Sequence, residues 1–130
     1  MSKILKQFVA YDGKEFALEW YFNSNGKSET LNYFEDLPQD NQKKVIHLFY
    51  LLGDVGKIFN KEKFRYEGNH VYAIKSAPNR FLCFFFEGAK IIITNAFEKK
   101  ADKMSPKEKT KALKAMQDYI KRCKEGNYYD

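Results

Sequence analysis

Three short stretches carry the side chains best suited to chemistry on an anion. Lys75 closes the run "VYAIK", Arg80 opens the run "RFLCFFF", and Lys99 with Lys100 follows the run "KIIITNAF". Cations gathered together repel one another unless an anion or water screens them, so such a cluster suits a phosphate. An arginine can fork onto two phosphate oxygens, whereas lysines act as point charges. His70 and Tyr72, just upstream of Lys75, are groups able to give or take a proton, the histidine more readily near neutral pH. Phe97 offers a ring on which a nucleic-acid base could stack. Lys103, with Lys107, Lys111 and Lys114 beyond it, could extend a track along a phosphate backbone.

These residues meet only if their strands lie side by side. Residues 69–75, 80–86 and 90–97 read as successive strands from their period of two. They are joined by Ser76-Ala77-Pro78-Asn79 and by Glu87-Gly88-Ala89, both short enough for hairpins. In antiparallel neighbours the end of one strand lies beside the start of the next, which brings Lys75 next to Arg80. Lys99 and Lys100 follow the strand paired to the Arg80 strand and return to the same end. The expectation is a cationic cleft with "EKK" as one wall. The middle run is apolar on both faces, as a central strand covered on each side would be.

The rest of the chain supplies the cover. "FALEWYF" (16–22) reads as a first strand and "NSNGK" as a turn. Ser28 is placed to cap a helix in which Leu31, Phe34 and Leu37 recur at helical spacing. Pro38 ends that helix and suits the first turn of another, where Val45, Leu48, Phe49, Leu52 and Val55 form a stripe. The short join predicts a helical hairpin. Ser105-Pro106-Lys107-Glu108 reads as a capping box opening a last helix, with Leu113, Met116, Ile120 and Cys123 on one stripe and Gly126 at its end. The order β, α, α, β, β, β, α predicts an α+β fold: an N-terminal strand and helical hairpin, a small, mostly antiparallel sheet and a C-terminal helix.

Composition narrows the field. The 130 residues suit a single domain spanning 1–130, large enough for its own core. A formal net charge of +6 favours a polyanionic partner such as nucleic acid. Lysine supplies most of it, since Arg65, Arg80 and Arg122 are the only arginines. Cys83 and Cys123 stand apart, and with His70 and His47 they form no zinc-like spacing, so both read as core thiols in a reducing compartment. The strongest apolar stretch, "FLCFFFEGAKIII", is broken by Glu87, Gly88 and Lys90 and cannot span a bilayer. With no signal-peptide pattern at the N-terminus, the expectation is a soluble, cytoplasmic protein without a membrane partner.

The stretch from Val71 to Arg122 resembles the phage-derived Gp49-like, HigB-type branch of the RelE/ParE toxin superfamily. The features that carry the likeness are Tyr72 to Lys75 ending one strand and Arg80 opening the next. Phe97, Lys99 and Lys100 then follow the third strand, and Ser105-Pro106 starts a helix containing Ala112. The likeness covers residues 57–130, the ending "RCKEGNYYD" included, and the helical hairpin in outline. It implies a RelE-like fold and the toxin of a type II toxin–antitoxin pair, partnered by a cognate antitoxin. Family members of this sort are endoribonucleases that cleave mRNA, commonly on the ribosome, without a metal or other cofactor. A ribose 2′-OH attacks the adjacent phosphate, which calls for a proton acceptor, cations for the developing charge and a proton for the leaving oxygen. On that pattern Arg80 takes the phosphate, Lys75 is the base if its neighbours lower its pKa, and Lys99 or Lys100 stabilises charge or donates the last proton. His70, Tyr72, Phe97 and Lys103 would contact substrate. Many relatives have Glu-Leu-Arg where this chain has Ala73-Ile74-Lys75. The superfamily also holds gyrase-inhibiting toxins without nuclease activity, and degenerate RNA-binding members are a further alternative.

Overall fold

The computed structural model describes residues 7–100 and 103–130. The chain forms β1 (Val9–Asp12), β2 (Ala17–Trp20), α1 (Glu29–Glu35), α2 (Gln39–Tyr50), β3 (Phe64–Gly68), β4 (Val71–Ser76), β5 (Asn79–Phe86), β6 (Lys90–Glu98) and α3 (Pro106–Lys124). The strands make one six-stranded sheet in the order β1-β2-β6-β5-β4-β3. All neighbours are antiparallel except β2 and β6, which run parallel. The α+β class and the mostly antiparallel sheet are those expected from the sequence; β1 and β3 are additional strands.

β5 lies between β6 and β4, and its alternate residues go to opposite cores. Phe81 and Cys83 join Trp20, Val45, Phe49, Leu52 and Ile93 on the side of α1 and α2. Leu82 packs with Val71, Ala73 and Ala112 of α3 on the other side. Full burial of Cys83 pushes its thiol pKa up, consistent with a packing role.

Ser28 and Ser105 cap their helices as expected, while Pro38 stands one position earlier than the first turn. Ser28 accepts from the Leu31 N–H at 3.2 Å, and Pro38 stands at the N-cap of α2. The Gln42 amide reaches back to the carbonyls of Phe34 and Leu37, closing α1 against α2. Ser105 accepts from the Glu108 N–H at 3.4 Å, whereas the Glu108 carboxylate turns to Asn95, so only half of the expected capping box forms. The buried stripe of α3 is Ala112, Ala115 and Tyr119, rotated from the expected one so that Ile120 is exposed. Small alanines let the helix approach the sheet, and Tyr119 fills the space beside Phe84 and Tyr128.

After Tyr50 the second helix widens into a π-helical turn, Leu51–Val55, which ends at Gly56 in the left-handed region (φ 89°). This turn receives the β1–β2 hairpin. The N–H groups of Glu15 and Phe16 donate to the Gly53 carbonyl at 2.7 and 3.0 Å, and the Tyr11 phenol donates to Asp54 at 2.9 Å. A Cβ at Gly13 would sit 2.3 Å from the Gly53 carbonyl carbon, so the crossing requires glycine.

Candidate functional site

Strand register sets the site. Lys75 pairs with Arg80 across β4 and β5, and Arg80 pairs with Phe97 across β5 and β6. Directly opposed residues project to the same face, so these side chains share one row on the α3 face. Arg65 joins them from β3, because it pairs with Ala73, two residues before Lys75. The Asn95 amide donates to the Glu108 carbonyl at 3.1 Å, fixing the first turn of α3 over the middle of β6. The end of β6 is left uncovered there. The Lys99 N–H then donates to the Pro78 carbonyl at 2.7 Å, tying the segment after β6 to the β4–β5 turn.

A pocket of about 200 Å³ lies at this sheet end. Arg65, Arg80, Lys99 and Lys103 give it positive charge, Phe97 and Met104 an apolar wall, and Glu67 a carboxylate. A second, wider groove of about 660 Å³ continues from it past Lys99, Lys103 and Phe97 toward Tyr33 of α1 and Lys111 of α3. Tyr33 donates to Asn79, the neighbour of Arg80.

At this sheet end burial works against the cations, and the charges around them are mixed. Burial lowers the Lys75 pKa, and Arg80, Arg65 and Lys99 lower it further, with Glu67 opposing them. Burial also lowers the Arg80 pKa; Glu67 favours the charged guanidinium and Arg65 disfavours it. The Lys75 amine donates to the Lys61 carbonyl at 3.4 Å. A bound anion would favour both cations.

Of the residues singled out in the sequence, Arg80, Phe97, Lys99 and Lys103 line the pocket together, and Lys75 stands beside Arg80 at its margin. Lys100 is exposed and borders only the wider groove, so Lys99 is the inward member of the pair. Tyr72 lies elsewhere. It stands three residues from Lys75, an odd number, and therefore projects to the opposite face, stacked on Phe64 with ring centroids 5.2 Å apart. His70 sits in the β3–β4 turn with φ 69°, its N–H donating to the Tyr66 hydroxyl at 3.2 Å. Five residues of extended chain at ~3.3 Å each place it about 17 Å from Lys75.

The sequence reading missed Arg65, Glu67, Met104 and Tyr33. The signal for the first two was present: in "FRYEG" aromatic residues alternate with Arg65 and Glu67 before a Gly-Asn turn. Among the described residues, no group of three or more His, Cys, Asp or Glu side chains could hold a metal ion.

A layered α+β protein with a cation-lined groove at one end of its sheet is the class these features define. The family model described as "Phage derived protein Gp49-like (DUF891)" matches residues 32–117, more than half of the chain, and the chain belongs to this family. The family falls within the RelE/HigB-like toxin group and is associated with toxin–antitoxin systems, which suggests an antitoxin as partner. The matched span contains Arg65, Lys75, Arg80, Phe97 and Lys99. No match is found among curated proteins. Among the described residues, no helix is long and apolar enough to cross a membrane.

Proposed function

We propose that this toxin is an endoribonuclease that cleaves mRNA, with mRNA on the ribosome as its substrate. The observation that carries the reading is the single row of Lys75, Arg80 and Phe97, continued by Lys99 and Lys103 around one pocket. A sugar–phosphate link seated there would meet an arginine able to fork onto its phosphate and a ring able to stack on a flanking base. Lys75 and Lys99 would stabilise the charge that develops on phosphorus when the 2′-OH attacks. These are cations of the protein itself, so the chemistry needs no metal. A cognate antitoxin would silence the protein by covering the groove or by propping its helices apart.

Expression in cells with mapping of transcript ends tests the proposal. Cuts within translated messages are expected from the wild type and not from Arg80→Ala. Intact transcripts accompanied by DNA damage would replace this reading with gyrase poisoning.

A further inference from the structure

The cations explain how the groove could hold a phosphate, but not where the 2′-OH proton goes. Arginine does not give up its proton in proteins, and an ordinary lysine, near 10.4, keeps its own at neutral pH. Burial and, after it, neighbouring charge lower the Lys75 pKa, yet a deprotonated Lys75 would no longer stabilise the phosphate. One amine cannot serve both needs at once.

Building on the ribonuclease reading, we infer that Glu67 is the catalytic base, taking the 2′-OH proton while Lys75 remains a phosphate-binding ammonium. Among the described residues, Glu67 is the single carboxylate lining the pocket that Arg80, Lys99 and Phe97 also line. Its half-buried side chain acts electrostatically on both Lys75 and Arg80, favouring the charged form of each. The β3–β4 register shifts between Tyr66 and Gly68, so Glu67 sits in a bulge with no single partner on β4. Bulges of this kind re-aim a side chain and are common beside active sites. Gly68, at φ 91°, completes the bend, and the Lys109 amine lies 3.1 Å from where a Cβ on it would stand. The charged groups around Glu67 are therefore Arg65 on its own strand, Lys75 and Arg80 on the next two, and Lys99 and Lys103 beyond β6, with Lys109 of α3 beside the neighbouring Gly68.

The step balances without a co-reactant. The 2′-oxygen forms a bond to phosphorus as its proton passes to the Glu67 carboxylate. The bond from phosphorus to the 5′-oxygen breaks, and that oxygen takes a proton from the Lys99 ammonium. A 2′,3′-cyclic phosphate and a 5′-hydroxyl result, and solvent returns both side chains to their starting states.

The alternative role for Glu67 is a counter-ion that merely quiets the cations, and the two roles differ in sign. The experiment compares single-turnover cleavage of ribosome-bound mRNA by wild type, Glu67→Gln and Glu67→Asp. In parallel it measures binding to the same RNA carrying a 2′-deoxyribose at the cut site. The catalytic role predicts a loss of roughly 10²–10⁴-fold in rate for Glu67→Gln, with unchanged or tighter binding to the deoxy RNA and partial recovery in Glu67→Asp. A Glu67→Gln protein that binds the deoxy RNA and cleaves within about twofold of wild type, or faster, overturns the inference and leaves the ribonuclease reading standing. Should wild type itself leave RNA intact, reading and inference fall together.

Discussion

Arg80 and Arg122 are both partly covered arginines, yet they sit in opposite electrostatic circumstances. At the C-terminal end of α3, Arg122 donates to Asp118 from Nε and Nη2 at 3.0 and 2.8 Å and to the Phe22 carbonyl, with the Tyr128 ring beneath it. Burial works against its charge, but Asp118 and Tyr21 overcome that and raise its pKa. Lys90, at the start of β6, is answered in the same way. Its amine donates to the Tyr129 hydroxyl at 2.8 Å and stands 3.4 Å from Glu19. At the other end of the sheet burial and neighbouring cations lower the pKa of Lys75, and burial lowers that of Arg80. Paired charge serves the fold at Arg122 and Lys90. Crowded charge beside Lys75 and Arg80 makes an anion welcome.

Exchanging the charges one at a time tests that division. Among the cations the largest effect is expected at Arg80. Arg80→Gln should lower the rate of RNA cleavage by roughly 10²–10³-fold, the usual cost of removing one preorganised donor to a developing oxyanion. Its melting temperature should stay within about 2 °C of wild type, because the lost charge was held at a disadvantage. Arg122→Gln should do the reverse. Losing its charge-assisted bonds should cost about 2 kcal/mol, a fall of roughly 6–10 °C, with cleavage unchanged. Equal thermal losses in the two variants would erase the distinction between paired and crowded charge.

Lys103 offers a subtler test of the same boundary. It borders both the pocket and the wider groove, where it would contact backbone rather than the reacting phosphate. Lys103→Ala should weaken RNA binding and reduce the slope of log affinity against log salt by roughly 0.7, the value for one contact to single-stranded nucleic acid. The cleavage rate at saturating RNA should hardly change. An unaltered slope would place the RNA path elsewhere.

Much of this division was legible in the chain because strand logic is local. Turns of fixed length and the period of two place Lys75 beside Arg80, and the register bears that out. The same logic, carried further, separates Tyr72 from them: residues an odd number apart on a strand cannot share a face, so its nearness in sequence misled. Arg65 and Glu67 were missed for another reason: the alternation in "FRYEG" marks a strand but not its neighbour. Their five-residue strand has only Phe64 and Tyr66 as its apolar side, and nothing local says that it will find β4. β1, four residues long with no fully buried position, is weaker still, and its place depends on the glycine crossing at Gly53. Tyr119 anchors α3 because aromatic partners from β5 and the C-terminus await it, a contact that spacing within the helix cannot reveal.

The smallest expected effect is the most particular to a site built from crowded cations. Lys75 has a folded-state pKa below its ordinary value of 10.5, so protonation favours the unfolded chain. Its ammonium therefore costs stability at every pH below the folded pKa, and the cost fades as pH rises from the folded value through 10.5. Lys75→Met removes that cost along with the weak bond to the Lys61 carbonyl. The variant should equal or slightly exceed wild type in stability at pH 7, by up to about 0.5 kcal/mol once solvent screening of this partly exposed group is allowed for. Denaturant unfolding at pH 7 and near pH 10.5 measures the gap, which should narrow at the higher pH. Saturating the wild type with an uncleavable RNA should reverse the order at pH 7, because the phosphate then supplies the counter-charge that only Lys75 can use. A Lys75→Met protein less stable than wild type without RNA would mean that this lysine, like Lys90, serves the fold.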